Sequence, residues 1–156
     1  MEVLKLSEMF TEVNVIPELK AKDKRGVLEE LAEAIVSREP TLDKSSLVKV
    51  LLERERLGST GIGDGVAIPH GKFQGITHPI ISFGRSRAGL DFESMDGQPA
   101  FLFFLLVAPE NEANIHLKAL AKIAKILKNS TFRKVLMEAP TRKEIYDTII
   151  QNDEDV

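Results

Sequence analysis

The feature that most restricts the fold is the run Ala100-Phe101-Leu102-Phe103-Phe104-Leu105-Leu106-Val107. It is apolar at every position. A strand with one wet face alternates apolar and polar residues, so an unbroken run is a central strand covered on both faces. Even extended to Ala108 the run is far too short to span a bilayer. Other parts of the chain must therefore cover it, and helical patterns are available. Asp23 is placed to cap a helix through about Ser37, with Val27, Leu28, Leu31 and Ile35 on one face. After the break at Pro40, Asp43 caps a second helix whose stripe is Leu47, Val50, Leu51 and then Arg54. Asn114 opens a third, through about Lys128, striped with His116, Leu120, Ile123 and Leu127. Ser130 opens a short helix carrying Phe132, Val135 and Leu136. Thr141 and Glu144 have the spacing of a capping box for a last helix holding Ile145 and Ile149. The acidic tail, residues 151–156, reads as frayed.

Three further stretches read as extended: residues 13–16 before Pro17, near a sheet edge; residues 80–84 after His78-Pro79; and the short piece 89–92. Strands and helices interleave without a clean βαβ alternation. The expectation is therefore an α/β fold, a single domain over residues 1–156, with a mixed β-sheet flanked by helices on both faces. The chain carries 21 basic and 24 acidic residues, a formal charge of −3, so no global basic field favours nucleic acid. There is no cysteine, hence no disulfide. Acids stand at Glu2 and Glu8, where a secretory leader would have a basic head and an apolar middle. These observations point to a cytoplasmic domain without membrane insertion.

Chemistry-bearing residues concentrate in Gly58-Ser59-Thr60-Gly61-Ile62-Gly63-Asp64-Gly65-Val66-Ala67-Ile68-Pro69-His70-Gly71-Lys72. Pro69 biases Ile68 toward extended geometry, and Gly71 permits close approach. The apolar triplet before Pro69 reads as a short strand that delivers His70 to a rigid, open rim. Several chemistries fail on register. A dinucleotide fingerprint begun at Gly61 puts its last glycine on Val66, and a P-loop ending at Gly71-Lys72 would need glycine at Val66 and a hydroxyl at Phe73. The three histidines lack zinc-ligand spacing, so no metal and no cofactor is expected. No G-x-S-x-G elbow is present.

What remains is a loop histidine, a second histidine at a helix start, and an arginine beside a buried helix face. Imidazole is nucleophilic near neutral pH and can carry a phosphoryl group. Arg54 would then offer a guanidinium to the phosphate oxygens, and the Ser59 and Thr60 hydroxyls and glycine-loop amides further donors. His116, kept neutral by the helix dipole, would donate an N–H. Blander alternatives stand beside these: His116 as a satisfied core histidine, and Arg54 as a helix-end ion pair with Glu53 or Glu55. Phe73 and Ile76, just past the rim, form a candidate apolar docking patch, with core packing the alternative for Phe73.

Arg54-Glu55, Gly58-Ser59-Thr60-Gly61-Ile62-Gly63 and Ala67-Ile68-Pro69-His70-Gly71 together resemble the IIA domain of the fructose–mannitol class of the bacterial phosphotransferase system. Phe83-Gly84-Arg85-Ser86, Leu90-Asp91-Phe92, Asp96-Gly97-Gln98-Pro99, Phe103-Phe104-Leu105-Leu106-Val107-Ala108-Pro109 and His116-Leu117-Lys118-Ala119-Leu120-Ala121 extend the likeness over nearly the whole chain. The wording Gly-Ser-Thr-Gly-Ile-Gly is most similar to the nitrogen-regulatory variety. Asp64 departs from the asparagine or glycine common there. The resemblance implies a mixed sheet flanked by helices and phosphoryl transfer through His70, with His116 and Arg54 supporting the phosphate. It also implies an HPr- or NPr-like phosphocarrier protein as donor, and a IIB domain or regulated target proteins as the onward partner.

Overall fold

The computed structural model describes residues 5–154. In chain order its elements are β1 (Val15–Ile16), α1 (Lys24–Arg38), α2 (Lys44–Arg56), β2 (Gly61–Gly63), β3 (Val66–Ala67), β4 (His70–Phe73), β5 (Ile80–Leu90), β6 (Ala100–Pro109), α3 (Ala113–Leu127), α4 (Ser130–Glu138) and α5 (Arg142–Glu154). The unbroken apolar run is β6, at the centre of a mixed sheet. It pairs antiparallel with β5 on one side and parallel with β3 and β4 on the other; β1 and β2 lie at the ends of the order β1-β5-β6-β3-β2.

Both faces of β6 are buried, as its composition requires. Leu102, Phe104 and Leu106 pack into a core with Ile123 of α3, Phe132 and Leu136 of α4 and Ile145 and Ile149 of α5. Phe103, Leu105 and Val107 pack into a second core with Val27, Leu28, Leu31 and Ile35 of α1 and Leu47 and Leu51 of α2. The period-two alternation of one strand thus divides the helices into two layers.

The caps follow elementary hydrogen-bond accounting. Asp23 accepts from Gly26 N at 2.8 Å and Asp43 from Ser46 N at 3.1 Å, each satisfying an orphan donor of its helix. Two expected caps are displaced. The cap of α4 is Asn129, not Ser130: its side-chain oxygen accepts from Thr131 N and Phe132 N. α3 begins at Ala113, one residue before Asn114, after Glu112, which makes no side-chain cap bond. The expected fraying from residue 151 is also corrected, because α5 continues to Glu154. Buried Asp153 anchors it, accepting from Leu6 N at 2.8 Å and pairing with Lys122 at 2.5 Å. Residues 155 and 156 lie outside the described residues.

β3 and β4 are two halves of one strand. Val66 and Ala67 face Leu102 and Phe103 of β6, and His70 to Phe73 face Leu106 to Pro109, with the register unbroken across the gap. The interruption is Ile68-Pro69. Proline has no N–H to give the ladder, and Ile68 N turns to the Thr60 carbonyl at 3.0 Å instead. β2 covers the outer edge of β3 but not of β4. His70 therefore starts a strand whose outer edge pairs with no strand among the described residues, where the α2 and α3 layers meet.

Candidate functional site

His70, Arg54 and His116 come together there. They line a cleft of about 400 Å³ with Val50, Glu53, Leu57, Gly71 and Lys72. His70 and His116 meet edge to face, ring centroids 5.4 Å apart and planes at 80°. Strand alternation puts His70 on the α3 side, while Gly71 turns to α2. A side chain at Gly71 would meet Val50 Cγ1 at 3.1 Å, so glycine is what lets α2 lie against β4 and bring Arg54 to the cleft.

The His70 Nδ1–H donates to the Ile68 carbonyl at 2.7 Å. A carbonyl can only accept, so the proton resides on Nδ1 and the Nε2 lone pair is left available. His70 is half-buried; burial lowers its pKa from the ordinary 6.5 and the nearby Arg54 charge acts in the same sense, against the Ile68 hydrogen bond and Glu55, which raise it. His116, 6% exposed, is also held below 6.5, first by burial and then by His70 and Lys72. Its Nδ1 is buried without a hydrogen-bond partner among the described residues. A buried polar atom left unpaired is costly, so the expectation of a satisfied core histidine does not describe this ring.

Arg54 forms no ion pair with Glu53 or Glu55. Its Nη1 donates to the Gly58 carbonyl at 3.0 Å, folding the guanidinium over the end of α2 with further N–H donors to spare. Glu55 turns inward instead, paired with Lys24 at 3.0 Å. Ser59 and Thr60 do not line the cleft. Buried Thr60 gives its hydroxyl to a Glu55 carboxylate oxygen in a short hydrogen bond and its N–H to the other at 3.1 Å. The Ser59 hydroxyl accepts from Gly61 N at 3.0 Å and donates to the Phe92 carbonyl at 3.4 Å. Both hydroxyls shape the glycine loop, so the expectation that they offer donors to a phosphate is corrected. Phe73 and Ile76 are partly buried and pack on the α1–α2 core, which favours core over docking patch.

Lys72 also lines the cleft, a residue the sequence motifs do not single out. It stands two residues beyond His70 on the same strand, and period two places both side chains on one face; that spacing was the available signal. Leu57, 85% exposed, forms an apolar lip. The cleft thus gathers a neutral imidazole with a free lone pair, a second imidazole and two cations. Such a set suits a group that is electrophilic at its centre and anionic at its periphery.

Comparison with known proteins decides the family. Residues 8–152 match the family described as phosphoenolpyruvate-dependent sugar phosphotransferase system, EIIA 2. The chain belongs to this EIIA family. It is 40% identical over 144 residues to a nitrogen regulatory protein of Bradyrhizobium diazoefficiens, covering 92% of this chain and 94% of that protein. It is 38% identical over 150 residues to the fructose-specific EIIABC component of Bacillus subtilis, covering 96% of this chain but only 24% of that longer protein. The crystal structure of nitrogen regulatory protein IIA-Ntr from Neisseria meningitidis superposes with a TM-score of 0.86 at 32% identity, covering 92% of this chain and 98% of that one. EIIA membership bears out the expected fold class, a mixed sheet between two helical layers.

Proposed function

We propose that this EIIA protein accepts a phosphoryl group on Nε2 of His70 from the phosphohistidine of a small HPr- or NPr-like carrier, and that its phosphorylation state regulates other proteins. The observation that carries the reading is the hydrogen bond from His70 Nδ1 to the Ile68 carbonyl, which leaves Nε2 as the nucleophile in a cleft shared with His116 and Arg54. In the transfer, a bond forms between Nε2 and phosphorus as the donor's N–P bond breaks, and the electron pair of that bond returns to the donor ring. Charge on the three equatorial oxygens meets the Arg54 guanidinium, the Lys72 ammonium and an N–H of neutral His116. His116 acts as donor without adding charge, because burial keeps it unprotonated. The regulatory reading is supported by the likeness to nitrogen regulatory proteins over more than nine-tenths of both lengths.

The likeness to a fructose-specific component favours a second reading, relay of the phosphoryl group to a IIB domain during sugar uptake. One experiment addresses both. The protein is incubated with labelled phosphocarrier, then with purified IIB domains. Wild type is expected to take acid-labile phosphate, and His70→Ala to take none while keeping its melting temperature within a few degrees. Undiminished labelling of His70→Ala would refute the site. Label retained in the presence of IIB supports the regulatory role, whereas rapid onward transfer supports the relay.

A further inference from the structure

Glu55 is an ionisable residue that the transfer itself does not use, yet it is 8% exposed and fully engaged. It lies in the last turn of α2, next to Arg54. Its carboxylate receives the Thr60 N–H at 3.1 Å, the Thr60 hydroxyl, and Lys24 Nζ at 3.0 Å from the start of α1. Thr60 is thereby pinned. Its carbonyl accepts the Ile68 N–H at 3.0 Å, and the Ile68 carbonyl in turn accepts the Nδ1–H of His70 at 2.7 Å. Three successive hydrogen bonds thus run from a buried carboxylate to the ring that is to be phosphorylated. Pro69, which has no N–H, lies between the last two residues, so the segment relies on Thr60 and β6 for its position. Arg54 meanwhile holds the Gly58 carbonyl, so two adjacent residues of α2 grip the same turn from either side.

We infer that Glu55 is a positioning residue: through Thr60 and Ile68 it orients the His70 ring and fixes the proton on Nδ1. The inference rests on His70 being the phosphoryl acceptor, and it extends that reading to residues that never touch phosphate. If the carboxylate lets go, the Thr60 carbonyl loses its fixed direction and the Ile68 carbonyl follows. The ring then samples the other tautomer, whose Nε2 is protonated and cannot attack. A bare packing role for Glu55 predicts lower stability and nothing else.

The test uses Glu55→Gln, Thr60→Val and Thr60→Ser. The His70 tautomer is read from imidazole ¹⁵N shifts above the titration range, and kcat and KM are measured for phosphoryl uptake from a phosphohistidine carrier. Glu55→Gln and Thr60→Val should raise the Nε2–H tautomer and lower kcat by about 10-fold, the scale on which orienting partners of histidine act elsewhere, with KM little changed. Thr60→Ser, which keeps the hydroxyl, should restore both. Folded variants with the wild-type tautomer and kcat, and only a lower melting temperature, would overturn the inference. If Glu55→Gln fails to fold, the pair Thr60→Val and Thr60→Ser decides by the same readouts. A wild type that takes no phosphoryl group, while the tautomer still shifts in the variants, would sink the acceptor reading and still support the orienting chain.

Discussion

His70 and His116 face each other across 5.4 Å with both pKa values displaced downward, chiefly by burial. Two imidazolium ions so close would repel, so the site favours two neutral rings, and a neutral His70 keeps its lone pair. The consequence for pH has a definite sign. Phosphoryl uptake should hold its rate just below pH 6.5, where a free imidazole would be mostly protonated, and lose it only at lower pH; a stopped-flow pH profile checks this. The same displacement acts on stability. The unfolded chain takes up protons near 6.5 while the native rings do not, so unfolding free energy should fall as pH drops below 6.5 and level off under the native pKa values. Urea titrations between about pH 5 and 7.5 would show it. At this scale the sequence is most informative about His70, because Pro69 restricts the backbone before it and Gly71 leaves room for close approach after it. It was least informative about Ser59 and Thr60. A hydroxyl in a glycine loop can face a ligand or a buried acid, and only the tertiary placement of Glu55 chooses between them.

Helices and the central strand were legible because each is written in local pattern or local caps: β6 in its unbroken apolar run, α1 and α2 in Asp23 and Asp43. β3 is legible only as a short apolar strand before Pro69 that delivers His70, and β2 and β4 are not legible at all. All three are two to four residues long, and they exist as strands only through partners distant in the sequence. The local pattern marks residues 80–84 and a separate extended piece at 89–92; instead one strand, β5, runs to Leu90, its register to β6 shifting between Arg85 and Leu90. The contact between β4 and α2 yields its own prediction. Gly71→Val should push α2 away from β4 at Val50, carrying Arg54 with it. Phosphoryl uptake should fall by about 10-fold or more if the guanidinium meets phosphate, given ~1.5–3 kcal/mol for a charged hydrogen bond. Circular dichroism and transfer kinetics on the same sample separate this from unfolding.

Across the whole molecule, Arg85 ties distant parts together. It is 1% exposed, and its guanidinium donates to the carbonyls of Pro17 at 3.0 Å, Leu136 at 2.8 Å and Ala139 at 2.6 Å. One cation thus satisfies the end of α4 and the chain leaving β1, and it links both to β5. Arg85→Ala should strand the Pro17 and Leu136 carbonyls, leave Ala139 with only its 3.2 Å bond from Arg87, and lower unfolding free energy by on the order of 3 kcal/mol in urea titration, with uptake by the folded fraction unchanged. The two cores on either side of β6 give the cleft its rigidity, since His116 is carried by one layer and Arg54 by the other. The arrangement makes a specific demand on the phosphorylated protein. Nδ1 of His70 is committed to the Ile68 carbonyl, so the proposed transfer requires phosphorus to attach to Nε2. The decisive measurement is the ¹⁵N–³¹P correlation of protein labelled in its histidines and phosphorylated by a phosphohistidine carrier. Phosphate on Nε2 of His70, with Nδ1 still protonated, is the predicted result; phosphate on Nδ1, or on His116 or His78, would contradict it.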